Sequence, residues 1–198
     1  IASVAGPMGT ANCDPEYPVS VIHFHGTADN LAPFDGGFGK NARGGKGVTN
    51  FYSVEHTIKN WVKANGCNNK PEVFNLPDKV KDGTSVVCKT WDNGKNDTEV
   101  VLIEIKGGGH TWPGQIPNKK LEFMGKTTQD VSANDLIWDF FQKHSRKKKS
   151  EETRAIDQAS QMHCQSLVKP VSGSCKKLSD CDATRDSSGM GQLFESIH

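Results

Sequence analysis

Two residues, Asp29 and His110, have the types and positions needed to move a proton. Asp29 closes "VSVIHFHGTAD", in which a mostly β-branched run turns off through Gly26, Thr27 and Ala28, and His110 closes "VVLIEIKGGGH". Each should therefore sit just past the carboxyl end of a strand, in a loop containing glycine. Open α/β sheets place their reactive groups at that edge. A carboxylate held there can fix the tautomer of an imidazole and stabilise the imidazolium formed when the ring takes a proton from a nucleophile. The acid precedes the histidine by 81 residues, which fits a chain order of nucleophile, acid, histidine. Gly107, Gly108 and Gly109 read as slack backbone that would let the ring swing towards its partner. His23 and His25 flank Phe24 and read as structural, one towards the core and one towards the rim.

Positioning such a pair requires a layered framework. Val19 to Phe24 and Val100 to Lys106 read as buried strands, and Ser85 to Trp91 as a shorter one in an otherwise polar, turn-rich stretch from 68 to 99. Ser53 is a candidate N-cap for a helix that turns Val54, Ile58, Trp61 and Val62 inward and stops at Gly66. A final helix over "DVSANDLIWDFFQKH" directs Leu136, Ile137, Phe140 and Phe141 inward. Strands alternating with helices indicate an α/β fold. "NARGGKGVTN" departs from the phosphate-loop pattern, because Lys46 is followed by glycine, and reads as a surface loop.

The bulk numbers exclude several classes. The 198 residues suffice for one domain and an appendage, and 24 basic against 23 acidic residues leave no nucleic-acid footprint. No apolar run approaches the length of a membrane span. Six cysteines match no zinc template, so no metal or cofactor is implied, and their density favours disulfides in a secreted, extracellular or periplasmic protein. From "SRKKKSEETR" onward the composition turns charged and polar, which divides the chain into a domain over 1–144 and a cysteine-containing tail over 145–198.

Four motifs carry a resemblance: "PVSVIHFHGTADNLAPFDGG", "SVEHTIKNWVKANGC", "IEIKGGGHTWPG" and "NDLIWDFF". In this order they resemble the carboxyl-terminal half of the polyhydroxybutyrate depolymerase-like esterases, secreted α/β-hydrolases that include feruloyl and acetylxylan esterases. The resemblance implies the carboxyl-terminal part of an α/β-hydrolase fold, a mostly parallel sheet with flanking helices. It also implies ester hydrolysis by a Ser-Asp-His triad, with Asp29 as acid and His110 as base. The substrate would be a polyester or an esterified polysaccharide, with Trp112 lining its site and Cys67 and Cys88 resembling a disulfide pair.

One member of that triad is absent from the pattern. No serine stands in a G-x-S-x-G elbow, and in the family that elbow lies upstream of the strand that "IASVAG" resembles. The expectation is that the nucleophile and oxyanion hole belong to a preceding segment, that these residues alone are inactive, and that Ile1 to Gly6 form an exposed sheet edge. Two rivals remain. One is a degenerate, non-catalytic module that binds a polymer or glycan through Trp112, Trp91 and Phe34. The other is a cysteine hydrolase using Cys13, whose flanking prolines instead suggest a surface loop.

Overall fold

The computed structural model describes residues 1–40 and 46–145, all of which fall within the unit Ile1–Arg146. Beyond Ser145, the tail expected from sequence, with Cys164, Cys175 and Cys181, lies outside the described residues. Five strands form one sheet in the order β1 (Ala2–Val4), β2 (Val21–Gly26), β7 (Val100–Lys106), β6 (Ser85–Trp91) and β5 (Glu72–Asn75). β1 pairs with β2 and β2 with β7 in parallel, whereas β7–β6 and β6–β5 are antiparallel. The sheet is thus mixed, where a mostly parallel one was expected. Only a short connection, Asp92 to Glu99, joins β6 to β7, and a short connection returns the chain antiparallel because a parallel crossover needs a dozen residues or more.

β2 and β7 are buried on both faces, which explains their nearly continuous apolar runs. On one face, Ile22, Phe24, Val101, Ile103 and Ile105 pack with Val86 against α2 (Ala133–Lys143) through Ala133 and Phe140, with Leu136 and Ile137 at the margin. On the other, Val21, Val100 and Leu102 pack against α1 (Val54–Asn65) through Val54, Ile58 and Val62, with Trp61 partly buried beside them. Burying each of these aliphatic side chains contributes roughly 1.5–3 kcal/mol. Phe141, expected inward, is 44% exposed, because it follows Phe140 by a single residue and so points about 100° around the helix.

Both helices begin and end as their sequences dictate. The Ser53 hydroxyl accepts the His56 amide at 3.0 Å, and Gly66 terminates α1 in the left-handed region at φ 68°. Ser132 caps α2 by accepting from the Asp135 amide. The fully buried Asn65 at the end of α1 donates to the Val19 carbonyl at 2.7 Å and accepts from its amide at 3.0 Å, tying the helix to the approach to β2.

Two sequence readings need correction. Part of the stretch taken as a surface loop is a strand: β4 (Lys46–Phe51) pairs antiparallel with β3 (Gly37–Lys40) in a separate two-stranded sheet. The Cys67–Cys88 disulfide is also absent, and both thiols are free. Cys67 belongs to the core on the α1 face, whereas Cys88 packs with Ile103 on the α2 face, so the sheet itself lies between them. Pairing them would need a one-residue register slip that turns every β6 side chain over.

Candidate active site at the carboxyl edge of the sheet

The parallel register of β2 and β7 aligns Gly26 with Ile105, so the two strands end side by side and release their loops together. Backbone hydrogen bonds then join these loops. The Thr27 amide donates to Ile105, the Ala28 amide to Gly108, and the Gly107 amide to the Thr27 hydroxyl, all at 2.9 Å. A Cβ on Gly26 would lie 2.2 Å from the Gly108 carbonyl oxygen, and one on Gly109 would lie 2.0 Å from that of Met124. The glycines before His110 therefore permit close backbone packing, where slack had been expected. The His110 amide itself donates to Met124 at 2.7 Å, and the loop holds the ring in place.

These loops bring together the two residues singled out from sequence. His110 Nδ1 lies 2.8 Å from Asp29 Oδ2. Since an ionised carboxylate only accepts, Nδ1 carries the proton and donates it, which leaves Nε2 as the free basic nitrogen. Asp29 is buried, and its other oxygen, Oδ1, accepts the amides of Leu31 and Ala32 at 2.8 Å each. Burial pushes the Asp29 pKa up, but the hydrogen bond from His110, the nearby His25, the Ala32 amide and the charge of His110 outweigh it. The carboxyl is held well below the usual carboxylate range. His110 is 31% exposed along its side chain, so the ring is anchored on one side and open on the other. Among the described residues, no hydroxyl or thiol is hydrogen-bonded to Nε2.

Trp112 follows two residues later, 41% exposed, with its indole N–H donating to Asn134 Oδ1 at 3.0 Å. It lines a shallow cleft with Pro113, Gln115, Ile116, Ser132 and Asn134, and Ile116 is 89% exposed there. Asp29 and His110 do not line that cleft. Cys13 is a free thiol whose pKa is raised by burial and by Asp14, the opposite of an activated nucleophile.

A different pair was misread from the sequence. His23 and His25 are two residues apart on one strand, so they share a face, and both are buried on the α1 side. His23 Nε2 lies 3.1 Å from His25 Nδ1, and His25 Nε2 lies 2.8 Å from the Ala32 carbonyl oxygen and 3.4 Å from Asp29 Oδ2. The signal was present in "HGTAD", where a histidine on the last turn-facing position of a strand stands four residues before the acid.

A third histidine site occupies the opposite, amino edge of the sheet. His144 Nδ1 lies 3.1 Å from Ser20 Oγ and its Nε2 lies 2.9 Å from Glu99 Oε1, an arrangement that copies the connectivity of a serine triad. Lys143 donates to both Glu99 oxygens at 2.8 and 2.9 Å, and the Glu99 amide donates to Ser20 Oγ at 3.2 Å. Ser20 is buried, and this cluster clamps the end of α2 to the starts of β2 and β7.

A carboxylate and an imidazole thus meet at the end of a parallel strand pair in a mixed sheet, and similarity to known proteins supports an esterase family. The chain is 32% identical over 146 residues to the protein named "Putative esterase NocK" from Nocardia uniformis subsp. tsuyamanensis, a match covering 71% of this chain and 42% of that protein. It is 35% identical over 98 residues to feruloyl esterase B of Piromyces equi, covering 50% of this chain and 16% of that protein. The chain thus spans less than half the length of the curated relatives it matches. No family model matches it.

Proposed function

We propose that the chain carries the acid and base of a secreted or periplasmic carboxylic ester hydrolase, with the serine and oxyanion hole contributed by sequence preceding Ile1. The observation that carries this reading is the 2.8 Å contact from His110 Nδ1 to a buried, ionised Asp29, with no partner on Nε2 among the described residues. In the reaction, the serine oxygen attacks the ester carbonyl carbon and its proton passes to Nε2. Asp29 stabilises the imidazolium, which then protonates the departing alcohol. Water repeats the sequence on the acyl-enzyme, and its proton travels by the same nitrogen. The substrate class is a polyester or an acylated polysaccharide, and Trp112 supplies an aromatic wall for it. A carboxyl-terminal part of an α/β-hydrolase domain accounts for the parallel half of the sheet and for both reactive loops.

Two measurements test this. Purified residues 1–198 should hydrolyse p-nitrophenyl acetate no faster than background, and His110-dependent turnover would refute an external nucleophile. Expressing the chain with its upstream reading frame should restore turnover that His110→Ala abolishes. An upstream frame without a serine elbow would instead favour the polymer-binding module.

A further inference from the structure

Behind the acid lie two fully buried histidines that the proposed chemistry does not use. Fully buried imidazoles are costly unless their nitrogens are engaged, and these are engaged in a directed chain. A backbone carbonyl can only accept, so at 2.8 Å from Ala32 O the His25 Nε2 must carry a proton. In a neutral ring, His25 Nδ1 then holds a lone pair, and the partner 3.1 Å away, His23 Nε2, must donate to it. Burial, reinforced by His25, holds the His23 pKa down to about 3, so His23 remains neutral and can keep this role. The two rings lie side by side and nearly coplanar, with centroids 5.3 Å apart and 15° between their planes, and Phe34 meets His25 edge-on at 5.9 Å.

Ala32 is the hinge of the arrangement. Its amide donates to Asp29 Oδ1 and its carbonyl accepts from His25, so the residue is clamped on both sides. The carboxylate plane of Asp29 is set by the Leu31 and Ala32 amides on Oδ1, and rotation of that plane would carry Oδ2 away from His110. We propose that His25, fixed as the Nε2–H tautomer by His23, is a positioning residue that pins Ala32 and thereby aims Asp29 Oδ2 at His110. His25 Nε2 also lies 3.4 Å from Oδ2, a longer approach than its 2.8 Å to the Ala32 carbonyl, so its proton goes chiefly to Ala32 and only weakly supports the carboxylate. The proposal rests on the reading of Asp29 and His110 as acid and base, but its test does not need turnover.

NMR of the full 198-residue chain reads the contact directly. A histidine donating to a carboxylate shows a far-downfield Nδ1 proton, the mark of a short, charge-assisted hydrogen bond. His25→Leu should lose that proton from His110. His25→Gln, whose amide N–H can still reach the Ala32 carbonyl, should retain it. A downfield His110 proton that survives in His25→Leu would overturn the proposal, and so would its loss from both variants, since the ring's packing alone would then be responsible. Should the leucine variant fail to fold, ¹⁵N shifts of the wild-type imidazoles decide. A neutral Nε2–H tautomer of His25 at neutral pH supports the assignment, and a charged ring or an Nδ1–H tautomer overturns it.

Discussion

The two edges of the sheet hold almost the same chemical parts arranged for opposite purposes. At the carboxyl edge, His110 meets Asp29 at 2.8 Å, and at the amino edge, His144 meets Glu99 at 2.9 Å. Among the described residues a serine touches the second nitrogen of His144 but not of His110, so distance alone would select the amino-edge cluster as the better triad. The rest of the hydrogen-bond inventory reverses that choice. Ser20 already accepts an amide, Glu99 is shared with Lys143, and both His144 nitrogens are occupied, which makes a closed structural clamp. At the carboxyl edge, Asp29 is saturated by backbone and histidine donors, while among the described residues nothing bonds to the second nitrogen of His110, which the proposed reading leaves for a reactant. A histidine–carboxylate pair can do work only where it is incomplete.

Breaking each pair should separate the two roles, and activity gives the largest effect. In the chain joined to its upstream sequence, Asp29→Asn should lower kcat for ester hydrolysis by about 10⁴-fold by removing the charge that fixes the His110 tautomer, measured with a p-nitrophenyl ester. His144→Ala should leave kcat within about twofold, and an equal loss in both would erase the distinction between the edges.

The next effect is on stability. Gly26→Ala places a methyl against the Gly108 and Gly109 carbonyls, where backbone would have to move, and should destabilise folding by about 3 kcal/mol in urea denaturation. A value under 1 kcal/mol would show that the two loops can separate, and that the carboxyl edge is as adaptable as a side-chain clamp.

A smaller effect depends on pH. Burial raises the Glu99 pKa, but Lys143 and His144 outweigh it and hold the folded value below the ordinary carboxylate one. A depressed folded pKa means that the stabilisation is complete above the unfolded value, about 4.3, and is lost as pH falls through the folded one. Glu99→Gln should therefore be less stable than the parent at pH 7, and the gap should close below about pH 4. A gap that stays constant with pH would mean the cluster owes nothing to charge.

The smallest effect is expected of Ser20→Ala, which removes an acceptor for the Glu99 amide and a donor to His144. About 1 kcal/mol of stability should be lost, with no change in turnover. Any loss of ester hydrolysis would give the triad look-alike a chemical role after all.

The parts of the fold that could be read in advance are those with strong local physics. β7 announced itself by five apolar residues in seven, four of them β-branched, α1 by a serine cap, a periodic face and a terminal glycine, and the carboxyl-edge geometry by a turn after each buried strand. The elements missed were edge or hairpin strands such as "GFGK" and "EVFN", whose residues are mostly exposed and so carry no burial period. The mixed character of the sheet escaped for a related reason, since strand direction depends on connection length and not on strand composition. Asp29 and His110 stood out because they follow buried strands. His25 was assigned to the framework because its partner, the Ala32 carbonyl, is backbone and leaves no mark in the side-chain pattern.

The amides that join the loop after β2 to the loop after β7 have a kinetic consequence. Thr27, Ala28 and Gly107 each donate across the gap between the acid-bearing and the base-bearing segments, so neither segment can open while the other remains protected. Their hydrogen exchange should therefore follow a single opening event, with the same denaturant dependence for all three amides. Under heating, the acid and base would then part in one cooperative step, giving a sharp thermal limit rather than a gradual decline.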